Sequence, residues 1–88
     1  MEKNLKKAIK NVLATRIDRA NYGMLSTKKN NPIDLRLLWE NNIDIHFGYY
    51  DKGFNGQKNV IVQNNEIVAK IKPRYGKYKE LQPTIEWL

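Results

Sequence analysis

Cysteine is absent from the 88 residues. Neither a disulfide framework nor a thiolate zinc site can compensate for a small core, and secretion as a disulfide-built scaffold is excluded. Apolar runs are short, and none approaches the roughly 18 residues that a membrane-crossing helix needs. The lysine-rich opening leads into an amphipathic pattern rather than the apolar stretch of a signal peptide, so the expectation is a soluble, cytoplasmic protein with no membrane partner. Only one histidine is present. Ser-His or Cys-His nucleophilic systems would have to run through His46, around which no motif is visible. Acidic side chains are scarce as well, 9 against 16 basic ones, giving a formal net charge of +7. Length is the last shortage: 88 residues allow a single domain, 1–88, because two halves would each be too small to fold unaided.

What is present suffices for a modest core, since 41% of residues are hydrophobic and 10% aromatic despite a mean hydropathy of −0.71. The charge is segregated. Residues 1–31 hold eight basic and two acidic side chains, residues 32–69 three and five, and residues 70–88 five and two. Two basic ends around an acidic middle form an electrostatic footprint suited to nucleic acid or another polyanion. Composition adds a hint of origin: 11 Asn, 12 Lys and 9 Ile make up 32 of the 88 residues. That bias is expected of AT-rich coding sequence, as in phages, plasmids and low-GC bacteria, and fits a small mobile-element protein acting on a host nucleic-acid machine.

Leu5, Ala8, Ile9, Val12, Leu13, Ile17 and Ala20 follow the i, i+3, i+4 rule, interrupted by Arg16, and predict an amphipathic helix of about 18 residues. Asn4 is a candidate N-cap, a start nearer Met1 being equally compatible, and Asn21-Tyr22-Gly23 supplies the stop. Residues 24–31 lack periodicity and read as a loop. Residues 32–41 alternate like a strand, but Asn31 as cap, Pro32 at the first position and Asp34 in the first turn favour a short helix. Strict alternation from Ile43 to Tyr50 predicts a strand. Val60–Gln63 and Glu66–Lys72 form two more around Asn64-Asn65, a pair suited to the positive φ angles of a two-residue turn. A regular hairpin places Val60 and Val62 on the helix-covered face with Ile67, Ala69 and Ile71, and Ile61 and Val68 on the other. Pro73 is expected to end the third strand, and Thr84–Leu88 to return as a short edge strand. The fold class is α+β: an amphipathic N-terminal helix and a short second helix packed on an antiparallel sheet of three or four strands.

Cations neutralise phosphates and aromatic rings stack on bases, and both types occur in Lys70, Lys72, Arg74, Tyr75, Lys77, Tyr78 and Lys79. The first helix adds Lys3, Lys6, Lys7 and Lys10, which oppose the helix dipole and so serve helix stability poorly. These eleven residues are the candidate nucleic-acid contacts. The loop Asp51–Lys58 contains Gly53-Phe54-Asn55-Gly56, a GXXG string, but such a string cradles RNA only between two helices, so both glycines read as turn residues. Phe54 is left as an exposed contact. Asp44 and His46 share one strand face, yet two residues at i, i+2 make no metal site, and His46 is expected to face solvent without a partner.

The leading reading is therefore a non-enzymatic protein with no cofactor or metal that binds nucleic acid or a nucleoprotein. Phosphate neutralisation and Tyr stacking would carry the binding. A rival is a phage or mobile-element inhibitor, anti-defence in role, that occupies a host nuclease complex through Phe54 and Trp87, with Tyr50 and Leu88 beside them. A third is a small basic ribonuclease toxin.

Overall fold

A computed structural model describes residues 1–22, 32–48, 51–76 and 79–88, with side chains described for 1–14, 33–48, 51–74 and 82–88. The elements are α1 (Lys3–Tyr22), α2 (Pro32–Glu40), β1 (Ile43–His46), β2 (Val60–Gln63), β3 (Glu66–Gly76) and β4 (Lys79–Trp87). All strand pairs are antiparallel and the sheet order follows the chain, β1-β2-β3-β4. This is the α+β architecture expected.

Of the stripe read from the sequence, α1 buries Leu5, Ala8, Ile9, Val12 and Leu13, each at most 6% exposed; the side chains of Arg16, Ile17 and Ala20 lie outside those described. The helix begins at Lys3, so Asn4 lies inside its first turn and is not the cap. Pro32 opens α2 with Asp34 in its first turn, where a fixed φ and a negative charge both favour a helix start. Asn31, Gly23 and the loop 24–31 lie outside the described residues. An Asn11–Asp34 hydrogen bond of 3.2 Å ties the two helices together, and the Asn41 side chain donates to the Leu37 carbonyl at 2.8 Å, satisfying an end of α2. The inner face of the sheet meets the helices through Ile43, Ile45, Ile61, Ala69 and Ile71, with Val68, Ile85 and Trp87 at the margin. Helix α1 packs over β4 and α2 over β1.

Asn64 and Asn65 have φ of 51° and 64°, so the expected two-residue turn is present. The register beyond it differs from the regular hairpin. Ile61 pairs with Ala69 and Val62 with Ile67, leaving Val68 as an extra residue in a bulge. One inserted residue exchanges the two faces of β2. Ile61 therefore joins the core under the helices, while Val60 and Val62 lie on the outer face with Ile67. Both valines are 2% exposed all the same. Their cross-strand neighbours there are His46 and Lys70 for Val60, and Asp44 and Ile67 for Val62.

Pro73 does not end β3, which continues to Gly76. Strand β2 begins at Val60, opposite Lys70, and the last bond on that side runs from the Ile71 N–H to the Asn59 carbonyl, 2.7 Å. Two residues on, the missing N–H of Pro73 faces an edge that, among the described residues, has no strand beside it, where it costs no ladder bond. A second irregularity between Lys72 and Arg74 adjusts β4, which is accordingly longer than the expected Thr84–Leu88 segment. Strand β1, by contrast, stops at His46, and Gly48 takes φ +108°. Tyr49 and Tyr50 lie outside the described residues.

Truncation of the core tests this packing. Leu13→Ala removes a side chain with 0% exposure, and urea unfolding should show a loss of about 2–5 kcal/mol. Trp39→Ala, at a position 79% exposed, should fall within about 0.5 kcal/mol of wild type. Equal losses at the two positions would mean that α1 does not seat on the sheet as described.

Candidate nucleic-acid interface

Alternation along β3 sends Ala69 and Ile71 inward and Lys70, Lys72 and Arg74 outward, onto the face that neither helix covers. All three cations are exposed. They are spaced at two-residue intervals of roughly 6.6 Å, a repeat comparable to that of neighbouring phosphates along one nucleic-acid strand. Glu86 pairs with Lys70 in register and makes an ion pair with Lys72. The Lys72 hydrogen bond, reinforced by the charges of Lys72 and Lys70, holds the Glu86 carboxyl below the usual carboxylate value. A lowered value means that the pairing persists above the ordinary Glu range and is lost as pH falls through the folded-state value. At an exposed site the pair is a modest tether on Lys72.

His46 occupies the same outer face two strands away, in the cross-strand row His46, Val60, Lys70. It is neither fully solvent-facing nor without a partner, contrary to the expectation from sequence. Its side chain is 24% exposed and its Nδ1 lies 2.9 Å from Asp51 Oδ1. An ionised carboxylate only accepts, so Nδ1 carries the proton and donates. The same Asp51 oxygen accepts from the Gly53 N–H at 2.8 Å. Beyond it, Phe54 and Gln57 exchange backbone bonds of 2.8 and 2.9 Å around Asn55-Gly56, whose φ angles of 49° and 78° make a tight reverse turn. The eight-residue loop is thus a small hairpin latched to β1, and its glycines are the turn residues expected. Gly53 is required for a further reason: a Cβ there would sit 2.2 Å from the Gln57 carbonyl oxygen.

The latch brings the half-buried Phe54 ring to 6.2 Å from His46. Phe54 is therefore not the freely exposed contact expected, but an aromatic edge beside the cationic row. Lys52 and Lys58 of the same loop are exposed and were not among the sequence candidates. Their only signal was placement in a loop whose course a sequence does not reveal.

The cations that read as one group in the sequence lie apart in the fold. Lys3, Lys7 and Lys10 are exposed on α1, on the opposite side of the sheet from Lys70, Lys72 and Arg74. Lys6 is half-buried with its ammonium 4.9 Å from the Trp87 ring centre, a cation–π contact that occupies both side chains. Trp87, proposed from sequence as a protein contact, thus packs against the core and under Lys6. Tyr75 and Lys79 are strand residues whose side chains are not described, and Lys77 and Tyr78 lie outside the described residues.

Among the described residues the exposed large apolar side chains are Leu88, which the sequence reading places beside Phe54 and Trp87, and Ile33, Leu35, Trp39 and Met1, which it does not. A nine-residue α2 carrying Ile33, Leu35, Leu37, Leu38 and Trp39 has more apolar positions than one face can bury, and that excess was the available signal. Among the described residues no group of three or more metal-ligating side chains occurs, and no helix is long and apolar enough to cross a membrane.

The latch yields a prediction of its own. Gly53→Ala should unseat the small hairpin and move the Phe54 and His46 ring resonances in NMR spectra, whereas Lys52→Ala, at an exposed position of the same loop, should leave His46 in place. Unchanged His46 shifts in Gly53→Ala would contradict the latch. Comparison of the chain with known protein families, with curated proteins and with solved structures found no match.

Proposed function

We propose that this chain is a non-enzymatic binding protein whose ligand is nucleic acid, or nucleic acid within a nucleoprotein, held along the outer face of the sheet. The observation that carries the reading is the row Lys70, Lys72, Arg74, exposed on one strand and one face with no helix over it. The aromatic edge at Phe54 and His46 on the same face gives the two chemistries that such a ligand needs, phosphate neutralisation and stacking. The overall charge of +7 adds long-range attraction. Binding of this kind is strongly salt-dependent and weak in sequence preference, since it rests on the backbone of the ligand.

A second reading, an inhibitor of phage or mobile-element origin that occupies a host nuclease complex, is favoured by one observation: Ile33, Leu35 and Trp39 are exposed on α2. Anchors of protein interfaces are aromatic side chains of this kind, with truncation costs of about 2 kcal/mol or more.

Two variants of equal charge separate a site from bulk attraction. Neutralising Lys70, Lys72 and Arg74 to Gln should remove most oligonucleotide affinity and lower the slope of log K against log salt by about 2–3. Neutralising Lys3, Lys7 and Lys10 to Gln removes the same charge from the other side of the sheet and should cost several-fold less. Equal losses would overturn the reading. Glu86→Gln, which frees Lys72, should strengthen binding and steepen its salt dependence, and a weakened complex would contradict the place given to Lys72.

A further inference from the structure

Among the described residues Trp39 is the most exposed of the large hydrophobic side chains, at 79%. Its ring stands at the last turn of α2 beside an open cleft of about 530 Å³ lined by Trp39, Asn42, Ile43, Asp44, Asn64 and Asn65. The cleft lies where two turns meet, the one between α2 and β1 and the one between β2 and β3. They are bonded to each other: the Asn64 N–H donates to the Asn42 carbonyl at 3.1 Å, and the Gln63 side chain to the Asn41 carbonyl at 3.4 Å. The Asn42 N–H in turn donates to the Trp39 carbonyl at 3.1 Å. Asn42, Asn64 and Asn65 all have positive φ, a conformation that Asn tolerates better than most residues, and this fixes the backbone from which their amides project. The platform and the polar groups are therefore held on connected, ordered backbone, as a binding site requires.

The chemistry of the lining selects a ligand. Trp39 offers a flat apolar face. Each Asn amide offers an acceptor and two N–H donors, and Asp44 only accepts. Among the described residues no Lys or Arg lines the cleft, and the Asp44 carboxylate repels a phosphate. A flat, uncharged heterocycle with donors and acceptors around its edge fits all of these, which is the description of a nucleobase. Asp44 also points to the outer face, opposite Val62 and Ile67 on neighbouring strands. The cleft thus opens at one end of the face that carries Lys70, Lys72 and Arg74, so a strand whose phosphates follow the row can deliver a base to it.

We infer that Trp39 and the two asparagine turns take an unpaired nucleobase, so that the nucleic acid is single-stranded where it passes this end of the sheet. The inference rests on the outer-face reading for its ligand but on separate residues for its site. A base inside a duplex has its faces stacked and its pairing edge occupied, so it cannot enter.

The test uses anisotropy titrations of the full chain with a labelled single-stranded oligonucleotide and with its duplex, each at two salt concentrations. Trp39→Ala should lose roughly ten-fold in single-strand affinity, keep its salt slope because no phosphate contact is removed, and leave duplex affinity unchanged. Trp39→Phe, which retains a ring, should recover part of the loss. Wild-type single-strand affinity in Trp39→Ala, or an equal loss on duplex, would overturn the inference. A second arm does not depend on the cationic row: guanosine and adenosine, which carry no phosphate, should shift the Trp39 indole N–H and the side-chain amides of Asn42, Asn64 and Asn65 in NMR spectra. No shift with either nucleoside, or shifts with maltohexaose alone, would overturn it in favour of an inert surface or a sugar cleft. If the Lys70, Lys72, Arg74 variant binds as wild type while Trp39→Ala does not, the outer-face reading fails and the base cleft stands.

Discussion

Leu5, Ala8, Ile9, Val12 and Leu13 form one apolar stripe on α1, and its burial against Ile61, Ala69 and Ile71 of the sheet is the contact on which the rest of the molecule depends. A sheet of four strands cannot be stable with both faces in water. Once α1 and α2 close one face, the alternation of side chains along each strand decides what the other face displays. Lys70, Lys72 and Arg74 are outward because Ala69 and Ile71 are inward. The cationic row is in this sense a by-product of core packing, and it sits on backbone that cannot rotate it away.

The outer face is organised by a second contact, the hydrogen bond from His46 to Asp51, which also accepts from Gly53. Folding the loop 51–58 back beside β1 places the half-buried Phe54 ring next to His46 and gives the face an aromatic edge. The single histidine is therefore engaged in holding a loop. That role explains why a sheet with only four residues in its first strand can carry an ordered hairpin beside it.

Much of this architecture was legible in the residues. The i, i+3, i+4 stripe identified α1, Pro32 and Asp34 identified the start of α2, and Asn64-Asn65 identified the β2–β3 turn, because each is a local rule satisfied by local chemistry. The failures were non-local. Nothing near Val68 marks the bulge that exchanges the faces of β2. Pro73 ends a strand only if a neighbour needs its N–H, and the shortness of β2 removes that neighbour. His46 found its partner five residues away, across a turn at Gly48 that alternation alone does not disclose. The candidate site was legible as a list of cations but not as a place, since a sequence does not say that α1 and β3 present their lysines to opposite sides. Trp39 was not singled out from the sequence, because an apolar nine-residue helix does not say which way it is turned; the burial of Leu38 does.

The proposed polyanion binding belongs to one face of the sheet. Lysine acetylation footprinting by mass spectrometry, with and without a saturating single-stranded oligonucleotide, reads each amine separately. Lys70 and Lys72 should be protected while Lys3, Lys7 and Lys10 react at the rate of the free protein. Protection of the α1 lysines with Lys70 and Lys72 left reactive would contradict the account.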